Sequence, residues 1–306
     1  MKIVTLSGGV GGAKLVDGLS QLLLPENLTT IVNTGDDFEH FGLYISPDLD
    51  TVCYTLAGLA NPETGWGCHE ESFHVLENLQ KLGGPGWFHL GDRDLATHIE
   101  RTRRLREGQS LSRITHDFCH AWGVRQPILP MSDEPVRTIV DTMEGGELTF
   151  QEYFVHRKCE PKVRRFRLSG IEIARPAPGV LEAIEQADAV VICPSNPWVS
   201  IDPILTIGGL KPALARKLVV AVSPIIGGQT VKGPAAKMYT ELGIQPSAQA
   251  VVFHYGKLLS GFILDRVDAK LVSNISIPTL ITNILMKNQE DRRRLAQDVL
   301  NLIQTL

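Results

Sequence analysis

The 306-residue sequence predicts an α/β fold: a Rossmann-like, doubly wound and mostly parallel sheet with a helical and β insertion. Three observations carry this. Short Val- and Ile-rich runs recur at Lys2–Leu6, Thr29–Val32, Ala189–Cys193, Leu218–Val222 and Ala250–Val252. They do not alternate apolar with polar residues, which suits strands covered on both faces. Helical patterns fall between them, and strand–helix alternation of this kind winds a parallel sheet. Composition agrees: 43% hydrophobic and 21% charged residues can fill a large core, so disorder is not the default.

Taken in order, the Lys2–Leu6 strand stops at the turn Ser7-Gly-Gly-Val-Gly-Gly-Ala13, and a helix is predicted over Lys14–Leu24. Free backbone amides at such a turn bind phosphate, and glycine lets the backbone come close. The loop ends in no Gly-Lys-Ser/Thr and lacks the dinucleotide spacing, so it is neither known nucleotide fingerprint. Further helices are predicted over Thr51–Gly58, Val75–Leu82, Pro178–Gln186, Ala235–Leu242 and Glu290–Leu306. Asp94–Arg106 and Leu111–Trp122 read as a helical pair, with Arg101, Arg103, Arg104 and Arg106 read as a solvated face. Val136–Arg167 is β-leaning and polar. The expected organisation is an α/β core of residues 1–94 and 175–306, with residues 95–174 as an inserted cap.

Charge and cysteine usage narrow the function classes. A net charge of −4 argues against a nucleic-acid coat, and no apolar run reaches ~18 residues, so no membrane span is expected. Five scattered cysteines form no Cys-x-x-Cys pair, and with no signal-like stretch after Met1 they imply a reducing, cytoplasmic setting. Cys53 and Cys193 read as small core residues.

The chemistry-bearing residues gather at predicted carboxyl ends of strands, where open α/β sheets bind ligands. Four loops lie there: Ser7–Ala13, Asn33-Thr-Gly-Asp-Asp37, Pro194-Ser-Asn-Pro197 and Ser223-Pro-Ile-Ile-Gly-Gly228. Each could be a turn alone, since Asn, Asp, Gly and Pro favour turns. Four in one place point to a shared ligand site. Acids crowd the same edge: Asp36, Asp37, Asp48, Asp50, Asp92 and Asp94. Asp48 or Asp50 could cap the helix after Ser46-Pro47, but a cap uses one acid. Carboxylates without Cys or zinc-spaced His partners suit Mg²⁺. Arg93, between Asp92 and Asp94, could meet a phosphate or a ring oxygen. These features alone describe an α/β enzyme acting on a phosphorylated or nucleotide-activated substrate, with phosphoryl-type transfer and redox chemistry both open.

The ordered motifs go further. Ser7-Gly-Gly-Val-Gly-Gly-Ala-Lys-Leu15, Asn33-Thr-Gly-Asp-Asp37, Ser46-Pro-Asp-Leu-Asp-Thr-Val52 and Leu90-Gly-Asp-Arg-Asp-Leu-Ala96 are followed by Leu129-Pro-Met-Ser-Asp133, Phe150-Gln-Glu-Tyr-Phe-Val155, Pro194–Pro197 and Ser223–Gly228. This series resembles the 2-phospho-L-lactate transferase family of coenzyme F-420 biosynthesis, from Met1 to about Asp265 and weakly over Ile281–Leu295. The resemblance implies a guanosine diphosphate-linked donor of phospholactate or, in bacterial members, enolpyruvyl phosphate. It implies transfer to the ribityl hydroxyl of 7,8-didemethyl-8-hydroxy-5-deazariboflavin with release of GMP, and Mg²⁺ as cofactor. A homodimer is compatible with this reading; nucleic-acid and membrane partners are not.

By resemblance, Asp48 and Asp50 stand at metal and acceptor hydroxyl, and Arg93 near the deazaflavin, with Asp36, Asp37, Asp92 and Asp94 as further substrate-binding residues. Ser7, Gly8, Gly9, Gly11 and Gly12, with Gly227 and Gly228, would hold donor phosphates. Asn33, Ser195 and Asn196 would lie on the nucleotide side. Two stretches depart from the family pattern: Gly11-Gly12-Ala13, where members often have Gly-Thr-Pro, and Cys68-His69-Glu70-Glu71. The Asp-Arg-Asp-Leu-Ala and Gln-Glu-Tyr-Phe-Val runs lean toward the enolpyruvate-using members. The competing reading is a non-catalytic regulator of related fold that binds a nucleotide sugar. A dehydrogenase is disfavoured because the dinucleotide fingerprint and its ribose-binding acid are missing.

Overall fold

A computed structural model describes residues 1–306. Seven parallel strands form the central sheet: β1 (Ile3–Ser7), β2 (Leu28–Val32), β3 (Ile128–Pro130), β4 (Ala189–Ile192), β5 (Leu218–Val222), β6 (Gly261–Asp265) and β7 (Thr279–Thr282). Their spatial order is β7-β6-β5-β4-β1-β2-β3, with every neighbouring pair parallel. The order reverses between β1 and β4, so the chain leaves these two strands toward opposite sides and opens a crevice at their carboxyl ends. The expected doubly wound α/β class is therefore the observed one.

Side-chain alternation builds a core on each face. Val4, Leu6, Ile31, Val190, Ile192 and Phe262 point to one side. Ile3, Ala189, Val191, Val220 and Ile263 point to the other, where α1 (Val10–Ser20) and the carboxyl-terminal helix Gln289–Thr305 cover them through Leu15, Leu19, Leu295 and Val299. Both faces are buried, which explains why the strands read as unbroken apolar runs. Cys193 is buried in the second of these cores and Cys53 in a smaller separate cluster with Leu49, Val52 and Cys119, both as small core residues.

Several expectations are corrected. Ala250–Val252 lies inside a helix, Ala248–Tyr255, not a strand. The Ser247 hydroxyl accepts the Ala250 amide and starts that helix, overriding the β-branched pair Val251-Val252. Three strands, β3, β6 and β7, lie outside the expected runs; β3, three residues beside Pro127, carries the least pattern, whereas β6 is buried along its whole length. Its pairing with β2 also means that residues 95–174 are not wholly outside the sheet. The rest of that segment contains the helices α3 (Asp92–Arg106) and α4 (Leu111–Ala121) and a small antiparallel sheet of Arg137–Thr142, Glu147–Thr149 and Val163–Ser169. Phe150–Val155 does not extend as β structure; Glu152–His156 forms a wide helical turn that stacks Phe154 on Phe150. The arginine-rich face is not uniformly solvated either. Arg103 is exposed, whereas Arg101 is 2% exposed and points inward.

Candidate active site

A cavity of about 530 Å³ opens at the carboxyl edge of the sheet. Loops after five strands line it: Gly9 and Gly11 after β1, Asp36 after β2, Pro194–Asn196 after β4, Ser223 and Pro224 after β5, and Ile284–Met286 after β7. The helix Pro47–Leu56 adds Pro47, Asp48 and Thr51.

The glycine loop is held tightly. The Gly8 amide donates to Ser195 Oγ at 3.0 Å, tying the loops at the switch point together. A Cβ on Gly11 would lie 2.4 Å from the Pro194 carbonyl oxygen, and one on Gly9 would lie 2.7 Å from Asp48 Oδ1. Gly9 has φ −70°, so close approach, not a left-handed backbone, selects glycine here. Helix α1 starts at this loop with no side-chain cap and no acid in its first turn, leaving its amino-terminal amides free.

The acids divide into two groups. Asp48 Oδ2 accepts from Asn33 Nδ2 at 2.9 Å, and the Gly9 amide faces the same carboxylate. Asn33 is fully committed: it also donates to the Val199 carbonyl at 3.1 Å and accepts from the Gly35 amide at 2.8 Å. It orients Asp48 and does not itself line the cavity. Burial pushes Asp48 up to about 6 despite these bonds. Burial and then the neighbouring Asp48 charge push Asp36 well above the usual carboxylate range. Asp37 sits behind them, its Oδ2 accepting from Ser46 Oγ at 2.9 Å, and burial raises it to about 7. Asp36 Oδ1 and Asp37 Oδ1 are buried with no hydrogen-bond partner.

Asp50 belongs to the second group, although it is two residues from Asp48. Its carboxylate is gripped by the buried Arg101 guanidinium, with Nη1 3.0 Å from Oδ2. Burial opposes the Arg101 charge, but Asp50 more than offsets it and holds the guanidinium pKa above its ordinary value. His98 lies between acids, with Nε2 3.2 Å from Asp94 Oδ1 and Nδ1 3.7 Å from Asp50 Oδ2. Tyr54 donates to Asp94 Oδ1 at 2.8 Å. Asp50, Asp94 and His98 offer atoms within 4.8 Å of one another, as metal ligands would. However, the Arg101 cation already neutralises Asp50, and a dication beside it would be repelled.

The remaining sequence candidates are scattered. Asp92 caps the helix His74–Lys81, accepting from Ser72 Oγ at 2.6 Å and from the His74 and Val75 amides. Arg93 is exposed, donating to the His69 carbonyl at 2.9 Å with Glu70 at 3.5 Å. A second cavity of about 590 Å³ is lined by Trp66, His69, Glu70, Glu71, Phe73, His89 and Asp94; Arg93 is not in its lining and reaches it only through its contacts with His69 and Glu70. Thr64 and Trp66 line both cavities. Ser195 and Asn196 line the first; Asn196 Oδ1 caps the Trp198 amide at 3.1 Å. Ser7 is buried beneath the loop, its hydroxyl donating to the Gly8 carbonyl, and Gly8 and Gly12 pack against Ser200, Ser7 and Ser195. Gly227 and Gly228 are the left-handed pair of a hairpin turn, φ 57° and 78°, joining Ile225–Ile226 to Gln229–Thr230. The Gly227 amide is spent on Asp268 at 3.0 Å, and neither glycine lines the cavity.

The whole constellation lies inside a family match: residues 3–303 fit the model for "2-phospho-L-lactate transferase CofD". The chain belongs to this family. It is 45% identical to a phosphoenolpyruvate transferase of Streptomyces griseus over 299 residues, 93% of this chain and 94% of the relative. It is 39% identical to a 2-phospho-L-lactate transferase of Methanosarcina acetivorans over 307 residues, 99% of this chain and 100% of the relative. Its fold matches a UPF0052 family protein of Bacillus halodurans with TM-score 0.66 at 18% identity, covering 98% of each chain. The chain is thus a transferase of the CofD family, and no helix in it is long and apolar enough to cross a membrane.

Lys232, Trp66 and Ser200 line this transferase cavity without having been picked out in the sequence, and Lys14 and the stacked Phe150 and Phe154 stand in the sequence motifs without an assigned role. Lys14 had a usable signal. It follows Val10 by four residues, one helical turn, so it shares the cavity-facing side of α1. Lys232 and Trp66 come from irregular loops, whose paths no periodicity reports.

Proposed function

We propose that the chain transfers a 2-phospholactate or enolpyruvyl phosphate group from a guanosine diphosphate-linked donor to the ribityl hydroxyl of the deazaflavin, releasing GMP, in coenzyme F-420 biosynthesis. The observation that carries this reading is one cavity holding both the free amino terminus of α1 and the buried carboxylates Asp36 and Asp48. The amides that open α1 from Val10 onward suit the donor's phosphates, and Ser195 and Asn196 its nucleotide side. Asp48, oriented by Asn33, is the residue we assign to accept the hydroxyl proton as that oxygen attacks phosphorus and the diphosphate bridge breaks toward GMP. In the metal-free protein burial raises Asp48 to about 6, which leaves it mostly ionised at neutral pH and able to accept a proton; a bound cation would lower it. Arg93 and the second cavity supply a place for the deazaflavin ring, with Trp66 on the shared wall.

The residues present fit Mg²⁺. Asp36 and Asp48 are hard oxygen donors in one cavity, Asp36 has an unpartnered buried oxygen, and burial has made both carboxylates costly to ionise alone. Bound there, the ion would neutralise phosphate charge. Asp50, held by Arg101, is assigned instead to keeping the Pro47–Leu56 helix in register. Of the two donors, identities of 45% to a phosphoenolpyruvate transferase and 39% to a 2-phospho-L-lactate transferase favour enolpyruvyl phosphate.

Titration of deazaflavin fluorescence, with and without GDP, tests the reading. Saturable binding of both ligands together supports a two-substrate transferase. A protein that binds nucleotide but never the deazaflavin would fit a regulator of related fold and overturn it.

A further inference from the structure

The cavity carries charges of both signs. Its acids, Asp36 and Asp48, lie by the Asn33 loop and the start of the Pro47–Leu56 helix. Its lysines, Lys14 and Lys232, make no ion pair with them or with any other carboxylate within 4.0 Å. Each lysine spends one donor on a backbone carbonyl: Lys14 Nζ on Met286 at 3.0 Å, Lys232 Nζ on Thr64 at 2.6 Å. An ammonium has three donors, so both retain hydrogen-bonding capacity. Burial, followed by Arg292 and Lys232, lowers the Lys14 pKa, as expected where cations gather without an anion. Arg292 itself is taken, with Nη1 3.1 Å from Asp17 Oδ2. Between the lysines, a Cβ on Gly65 would stand 3.7 Å from Lys232 Nζ and 2.7 Å from Val10 Cγ1, so the 61–67 loop runs directly over the start of α1.

We propose that Lys14 and Lys232 together grip the phosphate of the donor that leaves with the nucleoside. This rests on the transferase reading and adds a residue assignment to it. Two unpaired ammonium groups beside free helix amides form a site for a multiply charged anion, and a diphosphate presents oxygens to both. The lysines hold the oxygen that gains charge as the diphosphate bridge breaks, while the acids hold the hydroxyl side. Because Lys232 reaches across to the Thr64 carbonyl, it also fixes the loop that carries Trp66 into the wall of the second cavity.

Calorimetric titration of GDP and of inorganic pyrophosphate into the wild-type protein, Lys232→Met, Lys14→Met and Lys14→Arg tests this. Lys232 is exposed, so Lys232→Met should keep the fold, and circular dichroism checks Lys14→Met. Each methionine variant is expected to bind both anions about 10–100-fold more weakly, as loss of a charge-assisted bond commonly costs. Lys14→Arg should recover part of the loss, and deazaflavin binding should stay as in the wild type in Lys14→Met, where the Lys232–Thr64 contact is kept. Unchanged GDP and pyrophosphate affinity in folded Lys232→Met and Lys14→Met would overturn the lysine assignment while leaving the transferase reading intact. Failure of the wild-type protein to bind GDP at all would overturn both.

Discussion

At the scale of single residues, Asp48 and Asp50 show how two acids on one helical turn can have different work. Asp48 faces the cavity with a raised pKa, while Asp50 faces inward against Arg101. Asp48→Asn should keep the fold and lose on the order of 10²–10⁴-fold in turnover at saturating Mg²⁺, as removal of a base or metal ligand commonly does. Turnover within threefold of the parent would remove Asp48 from the chemistry. The variant's stability carries a sign. Asp37 and Asp48 titrate near 7 and 6 in the fold against an ordinary 3.8, so between about pH 4 and 7 the folded state binds more protons than the unfolded. Stability of the empty, metal-free protein should therefore fall as pH rises through that window and level off above it. Asp48→Asn should show a shallower fall, and at pH 8 a Tm equal to or above the parent's. Asp50→Asn should do the reverse. It leaves the buried Arg101 charge unpaired, a loss of about 3–5 kcal/mol, which is roughly 5–8 °C in Tm for a chain of this length. An Asp50→Asn protein of parental Tm would mean that the ion pair carries no structural load.

At the scale of elements, the site depends on how closely α1 meets the loop after β4. Gly11→Ala would place a methyl 2.4 Å from the Pro194 carbonyl, a backbone group with no rotamer to escape into. The expected result is a displaced helix start, lower Tm and at least tenfold weaker GDP binding. Calorimetry on a folded Gly11→Ala protein that binds GDP normally would show the loop to be a turn and nothing more. These elements also show what the sequence discloses. β1, β2, β4 and β5 are legible because both faces are buried, so each reads as an apolar run. β3 is not, being three residues long beside Pro127, and Val251-Val252 misleads because the Ser247 cap decides the local structure. The glycine loop reads in the sequence as a cradle or a turn and lines the cavity through Gly9 and Gly11, but Gly227-Gly228, equally glycine-rich, proves to be a hairpin turn with its amide spent on Asp268. Glycine marks both close approach and left-handed backbone, and a one-dimensional string does not separate them. Nor does it separate Asp48 from Asp50, whose difference arises from where α3 delivers Arg101.

At the scale of the whole molecule, the sheet order places the reversal between β1 and β4, and five strand-end loops converge on that crevice. Binding at such a junction ties together elements far apart in sequence. GDP with Mg²⁺ should accordingly raise the Tm in a concentration-dependent way, by about 2.7 kcal/mol of stabilisation at a hundredfold excess over Kd. A Tm unmoved by ligands that calorimetry shows to bind would contradict the placement of the site across those loops.

The proposed reaction is phosphodiester-forming transfer to a deazaflavin. Its most direct test is to incubate the protein with the deazaflavin, Mg²⁺ and, separately, the guanosine diphosphate-linked phospholactate and enolpyruvyl donors, and to identify the products by mass. The account predicts GMP and a deazaflavin enlarged by the organic-acid phosphate in equal amounts, faster with the enolpyruvyl donor and suppressed in Asp48→Asn. Unmodified deazaflavin with both donors, in a protein that binds them, would contradict it.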